Sequence, residues 1–125
     1  MPDIEFRDDG KCVFPSKYHG ELTLSKAKWD TICNEPERRY YRFNGEKVAT
    51  TLINPDYVRC HRSEQNQFFY YKKFMRIYTD TGVEIPWPNG IYFAVVIDEI
   101  TCRICTVYPV ENPKPGKLFK PKTKT

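Results

Sequence analysis

The longest apolar pattern lies near the carboxyl end, in residues 91–109, with the sequence IYFAVVIDEITCRICTVYP. A continuous apolar run over residues 92–97 predicts a strand covered on both faces. After Asp98 and Glu99, apolar and polar residues alternate, which is typical of a half-buried strand. We therefore predict an antiparallel hairpin of two strands of about seven or eight residues each, joined by a tight turn and placed at the centre of a sheet.

Two shorter segments nearer the amino end have helical patterns. Ser25 is placed to cap the first helix, and Pro36 is expected to stop it after about ten residues. The turn-favouring pair Asn44 and Gly45 precedes the second helix. Their apolar stripes consist of Trp29, Ile32 and Cys33 in the first segment and of Val48, Thr51 and Leu52 in the second.

Two further strands are predicted between the second helix and the hairpin, over residues 57–62 and 68–78. Residues 79–90 contain two glycines and two prolines and are expected to form a long loop. Residues 4–14 give only weak strand signals. The expected fold is therefore α+β, with short N-terminal helices packed on one face of a three- to four-stranded antiparallel sheet, whose other face is partly open.

The length of 125 residues fits one domain, which we place at residues 1–109, followed by a basic Pro- and Lys-rich tail at 110–125. No apolar run approaches the roughly 20 residues of a membrane helix. The acidic start MPDIEFRDDG lacks the layout of a signal peptide. We expect a cytoplasmic protein with no membrane partner.

Five cysteines leave at least one thiol unpaired, which favours a reducing compartment. Cys102 and Cys105 form a CxxC pair within the predicted last strand, where residues three apart point to opposite faces. A zinc site needs a second pair of ligands, and neither histidine is spaced to supply it. We favour buried structural cysteines and expect no metal or other cofactor, with a zinc or redox protein as the open alternative.

Positive charge is concentrated in two places: residues 38–76 have a net charge of +6 and residues 110–125 of +4. This distribution is typical of a site for an anionic partner, although a solvated surface has the same composition. In the segment ERRYYRF, Arg38, Arg39 and Arg42 lie among aromatic residues. Such a mixture can hold a nucleic-acid backbone and stack on unpaired bases, or form an ordinary amphipathic segment.

Several phrases together resemble the phage-associated branch of the barnase/EndoU/colicin/RelE-like nuclease superfamily. They are LTLSKAKWDTI, KVATTLINPDYVR, FFYYKK, YFAVVI and CTVYP, spread over residues 22–109. The most specific is TL-x-NPD-x-VR at residues 51–59. The resemblance implies N-terminal helices followed by a four-stranded antiparallel sheet. It also implies a metal-independent ribonuclease, of the kind often found as a toxin or a phage-borne effector.

The resemblance also implies site residues, with one departure. The histidines that family members carry on the first helix correspond here to Thr31 and Glu35, so Glu35 would have to replace a lost base. The basic strand residue of the family corresponds to Lys72. Its last-strand hydroxyls correspond to Thr106 and Tyr108.

Cleavage of RNA without metal needs a base for the 2′-OH, an acid for the leaving oxygen, and cations for the phosphorane. The candidates are Glu35 or His61 as base, Tyr71 or Tyr108 as acid or positioning group, and Arg59, Lys72 and Lys73 as cations, with Arg76 as a further contact to RNA. The alternative is an inactive member of the same fold that binds RNA or a protein, such as an inhibitory or toxin-system partner. The sequence leaves the oligomeric state open.

Overall fold

A computed structural model describes residues 4–35, 41–61, 64–79 and 81–110. No helix in these ranges is long and apolar enough to cross a membrane. None of the five cysteines, all of which lie in these ranges, forms a disulfide bond. In chain order the elements are β1 (Lys11–Ser16), β2 (Gly20–Ser25), α1 (Lys26–Asn34), α2 (Gly45–Ile53), β3 (Tyr57–Cys60), β4 (Gln67–Tyr78), β5 (Glu84–Asp98) and β6 (Arg103–Val110).

The strands form one six-stranded sheet in the order β1-β2-β6-β5-β4-β3. All neighbours are antiparallel except β2 and β6, which run parallel and pair at Thr23 and Arg103. The predicted fold class was therefore wrong, because the described residues are mostly sheet. They form six strands, where three or four were predicted, and the sheet is mixed, not antiparallel throughout. The two added strands are short and carry few buried residues, and their link to β6 joins distant parts of the sequence.

The predicted loop at residues 79–90 was also wrong, because β5 already begins at Glu84 and pairs with the end of β4. Phe74 pairs with Ile91 and Arg76 pairs with Pro86, so residues 87–90 lie opposite Met75 alone. Prolines cannot donate to a ladder and are tolerated where pairing is broken. The turn-forming residues therefore mark an irregular stretch of strand.

The central hairpin has the predicted burial on both faces. Phe93, Val95 and Ile97 are fully buried in the core beneath the helices, while Ala94 and Val96 belong to a second cluster on the opposite face. The turn between the strands is longer than predicted, because residues 99–102 separate β5 from β6. The helices contribute Trp29, Ile32 and Cys33 from α1 and Val48 and Leu52 from α2 to the first core.

The start of α1 is confirmed at the predicted cap. Ser25 has an extended backbone, and its Oγ accepts a hydrogen bond from the Lys28 N–H at 3.1 Å. The helix ends at Asn34, before the proline that was expected to stop it. Local capping chemistry therefore fixes this helix.

The start of α2 is fastened to the end of β4 by Asn44, which is fully buried. Its Nδ2 donates to the Tyr78 carbonyl at 2.8 Å, and its Oδ1 accepts from the Tyr78 N–H at 2.9 Å. One side-chain amide thus satisfies both backbone groups of a strand residue, as a neighbouring strand would.

We expect Asn44→Ala to lower the free energy of unfolding by roughly 2–4 kcal/mol, because the part-buried N–H and carbonyl of Tyr78 both lose their partner. Urea unfolding followed by circular dichroism measures this change. Asn66→Ala is the matched control, since Asn66 is exposed in a turn, and we expect a change within about 0.5 kcal/mol. Equal effects of the two substitutions would contradict this role for Asn44.

Candidate functional site

The sheet face opposite the helices carries aligned aromatic and basic residues, which we call the aromatic face. One row across the strands consists of Tyr57, Tyr71, Ala94 and Tyr108. The row on one side consists of Arg59, Phe69, Val96 and Thr106. The row on the other side contains Lys73, Tyr92 and Val110. Strand pairing therefore brings together residues from four separate stretches of the chain.

The rings of this face are in contact with one another. The Tyr57 centroid lies 5.3 Å from that of Tyr71 and 5.8 Å from that of Tyr92. Phe69 stacks near Tyr71 at 5.9 Å, and the His61 ring stacks on Phe69 at 5.3 Å. These separations are within the range of favourable aromatic pairs. Phe69 and Tyr71 are buried, so the half-buried Tyr57, Tyr92 and His61 supply the accessible ring surface.

Two cations lie over these rings. The Arg59 guanidinium carbon is 5.0 Å from the Tyr57 centroid, and the Lys73 Nζ is 5.9 Å from the Tyr92 centroid. Cation–π attraction holds each charge beside an aromatic surface. Burial, and secondarily the neighbouring Tyr92, raises the pKa of Tyr57 to about 12. The Tyr57 phenol therefore stays neutral near pH 7, and the net charge here comes from the cations.

The structure brings six of the predicted site residues to the aromatic face. They are Arg59, His61, Tyr71, Lys73, Thr106 and Tyr108. Tyr57 and Tyr92 belong to the same face and were missed as site residues. Alternation along β3 and β5 places them there, but only the strand register shows that they meet.

Other predicted site residues lie elsewhere. Glu35 is the exposed C-cap of α1, on the side of the sheet where the helices pack. Lys72 pairs with Phe93, which faces the helix-side core, and its Nζ forms an ion pair with the Asp56 Oδ1 at 3.6 Å. The Asp56 Oδ2 also accepts a hydrogen bond from the Lys73 N–H at 2.7 Å, so Asp56 links the turn before β3 to β4.

Two of the predicted arginine contacts are occupied by ion pairs. Arg42 binds Asp30 at 3.0 Å, and Arg76 binds Glu84 at 2.8 Å. Arg38 and Arg39 lie outside the described residues, as does the predicted basic tail beyond residue 110. Local carboxylates thus engage part of the basic charge in the middle of the chain.

The hydrogen bonding of His61 bears on its predicted role as a base. Its Nδ1 accepts the backbone N–H of Glu64 at 3.0 Å. A neutral imidazole whose Nδ1 accepts carries its proton on Nε2. The ring therefore offers a donor at Nε2, and this arrangement suits contact with a phosphate or base better than proton abstraction.

The two cysteines of the CxxC pair do not share a strand, so their predicted placement was wrong. Cys102 is exposed in the turn with φ of 55°, whereas Cys105 lies in β6 at the register shift opposite Val96 and Ile97. Burial raises the pKa of the Cys105 thiol. Among the described residues, no group of three or more His, Cys, Asp or Glu side chains is placed to hold a metal ion.

His19 forms a second cluster that the sequence did not reveal. It lies in the turn between β1 and β2, with its Nδ1 2.5 Å from the Tyr70 hydroxyl. Its ring packs on Phe68 at 4.5 Å, and its Nε2 is 3.8 Å from a Glu99 carboxylate oxygen. Burial lowers the pKa of His19, and Glu99 opposes this shift. The His19 side chain therefore connects the β1–β2 turn to β4 and to the turn between β5 and β6.

We expect acid to destabilise the protein through His19. Because its pKa is lower folded than unfolded, the unfolded chain takes up the proton first as pH falls below about 6.5. Urea midpoints at about pH 7.5 and about pH 5.5 should differ less in His19→Gln than in the wild type. Asn66→Ala, which removes no titratable group, is the control and should keep the wild-type difference. An unchanged difference in His19→Gln would contradict the prediction.

The chain matches no protein-family model, no curated protein and no solved structure at a significant level. The resemblance to the nuclease superfamily therefore stays a prediction. Function has to be argued from the site itself.

Proposed function

We propose that the protein binds single-stranded RNA on the aromatic face. The observation that carries this proposal is the alignment of Tyr57, Tyr92 and His61 with Arg59 and Lys73 across adjacent strands. Unpaired bases stack on such rings, while neighbouring cations bind the backbone phosphates. A cytoplasmic location belongs to the same proposal.

Binding without cleavage is the function that this geometry supports best. Glu35 and Lys72 lie away from the aromatic face, and the Nδ1 of His61 is engaged by Glu64. The aligned rows therefore combine hydroxyl groups and cations, and the carboxylate of Asp98, which follows Val96 on the same face, already accepts the N–H groups of Ile100 and Thr101. Recognition requires only these groups, whereas cleavage also requires a base within reach of the 2′-OH.

The binding test uses a short labelled single-stranded RNA of mixed sequence, followed by fluorescence anisotropy. We expect Tyr92→Leu to weaken binding by about 1–3 kcal/mol through lost stacking, and Tyr92→Phe to retain it. Lys73→Gln should weaken binding and reduce the slope of log K against log salt by about 0.7. Lys17→Gln, in the turn between β1 and β2, is the matched control and should behave as the wild type.

Circular dichroism of each variant establishes that it is folded before binding is compared. Equally strong RNA binding by Tyr92→Leu and Tyr92→Phe would show that bases do not stack on the Tyr92 ring. If no labelled RNA binds at low salt, the proposal is wrong, and the aromatic face would then be a candidate surface for binding a protein.

A second assay separates binding from hydrolysis. We expect the wild-type protein to leave a labelled mixed RNA pool intact in EDTA, because Glu35 lies away from the face and the Asp98 carboxylate already accepts two backbone N–H groups. Gel electrophoresis of the pool measures this. Cleavage in EDTA that falls in His61→Gln or Glu35→Gln would favour the ribonuclease predicted from the sequence.

A further inference from the structure

A cavity of about 400 Å³ lies where β2 meets β6, at the seam between the N-terminal hairpin and the rest of the sheet. Lys11, Lys28 and Arg103 all line it. Their side chains come from β1, α1 and β6, so the fold gathers three cations from distant parts of the sequence. The hydroxyl residues Thr23, Ser25 and Thr101 complete the polar lining.

None of the described residues that line this cavity carries a carboxylate. Within the described part of the chain, none of its three cations has a carboxylate within ion-pair distance. Asp98, the cross-strand partner of Arg103 on β5, uses its Oδ1 to accept the N–H groups of Ile100 and Thr101. A cavity of about 360 Å³ beside the start of α1 differs, because Asp8 and Asp30 line it together with its cations. Converging charges of one sign raise the local concentration of an oppositely charged ligand.

The positions of the cations are set by the backbone. Arg103 is paired with Thr23, whose N–H donates to the Cys102 carbonyl at 2.8 Å. The backbone N–H groups at the start of α1 offer little to a ligand, because the Lys26 N–H donates to the Gly10 carbonyl and the Lys28 N–H donates to the Ser25 Oγ. The cationic side chains, together with the hydroxyl groups, therefore define the site.

We propose that this cavity binds a terminal phosphate group. The guanidinium of Arg103 offers paired donors that match phosphate oxygens, the two lysines supply further charge, and hydroxyl groups can donate to the remaining oxygens. The volume lies in the range of small-molecule sites and exceeds what inorganic phosphate alone would fill. The phosphate can belong to a small ester or to the end of an RNA chain. The site is independent of the aromatic face.

Binding is tested with adenosine 5′-monophosphate by calorimetry and by amide shifts in nitrogen-15 NMR spectra. We expect shifts at Thr23, Thr101 and Arg103, and no binding of adenosine. Because the cations are exposed, affinity should fall as salt rises. Arg103→Gln and Lys28→Gln should each weaken binding about tenfold or more, since each removes a charge-assisted contact.

Lys26→Gln is the matched control, because Lys26 begins the same helix but lines the other cavity. It should bind the nucleotide as the wild type does. Equal affinity for adenosine and its monophosphate would overturn the proposal. So would wild-type affinity in both Arg103→Gln and Lys28→Gln.

Comparing 5′-phosphorylated with 5′-hydroxyl RNA separates the two sources of the phosphate. A preference for the phosphorylated strand that is lost in Arg103→Gln identifies an RNA end, and nucleotide binding without that preference identifies a small ester. Lys73→Gln should retain nucleotide binding. Failure of this site is therefore distinguishable from failure of the aromatic face.

Discussion

Burial of β5 on both faces is the constraint on which the rest of the structure depends. Its alternate side chains enter two separate clusters, one beneath the helices and one on the aromatic face. The strand therefore needs a hydrogen-bonded neighbour on each edge and packed side chains on each surface. β4 and β6 supply the neighbours, and their own outward residues build the aromatic face.

Elements specified by nearby residues were predicted well from the sequence. The Ser25 cap, the stripes of both helices and the span of β4 follow from local patterns. Elements that depend on distant partners were not. β1 and β2 are short and half-exposed, and their place in the sheet depends on the pairing of Thr23 with Arg103. The same limit applies to the sites, because composition identified basic and aromatic residues while only register showed which of them meet.

The ion pairs in the structure change the interpretation of the basic charge in the sequence. The middle of the chain is basic in sequence, yet Arg42, Lys72 and Arg76 are each paired with a carboxylate. These pairs contribute little to stability where they are exposed, but they reduce the field available to an anionic ligand. The two proposed sites depend on the cations beside rings on the aromatic face and on those at the seam of the sheet.

The pairing of β2 with β6 at the seam also affects the rate of folding. The chain between Thr23 and Arg103 must close a loop that includes most of the protein before β2 can lie beside β6. Closing so long a loop costs conformational entropy, which is offset only when the contacts between β2 and β6 form. Pairings of this kind therefore slow folding. The cavity at the seam does not exist until this step is complete. A ligand bound there would therefore stabilise only chains in which β2 already lies beside β6.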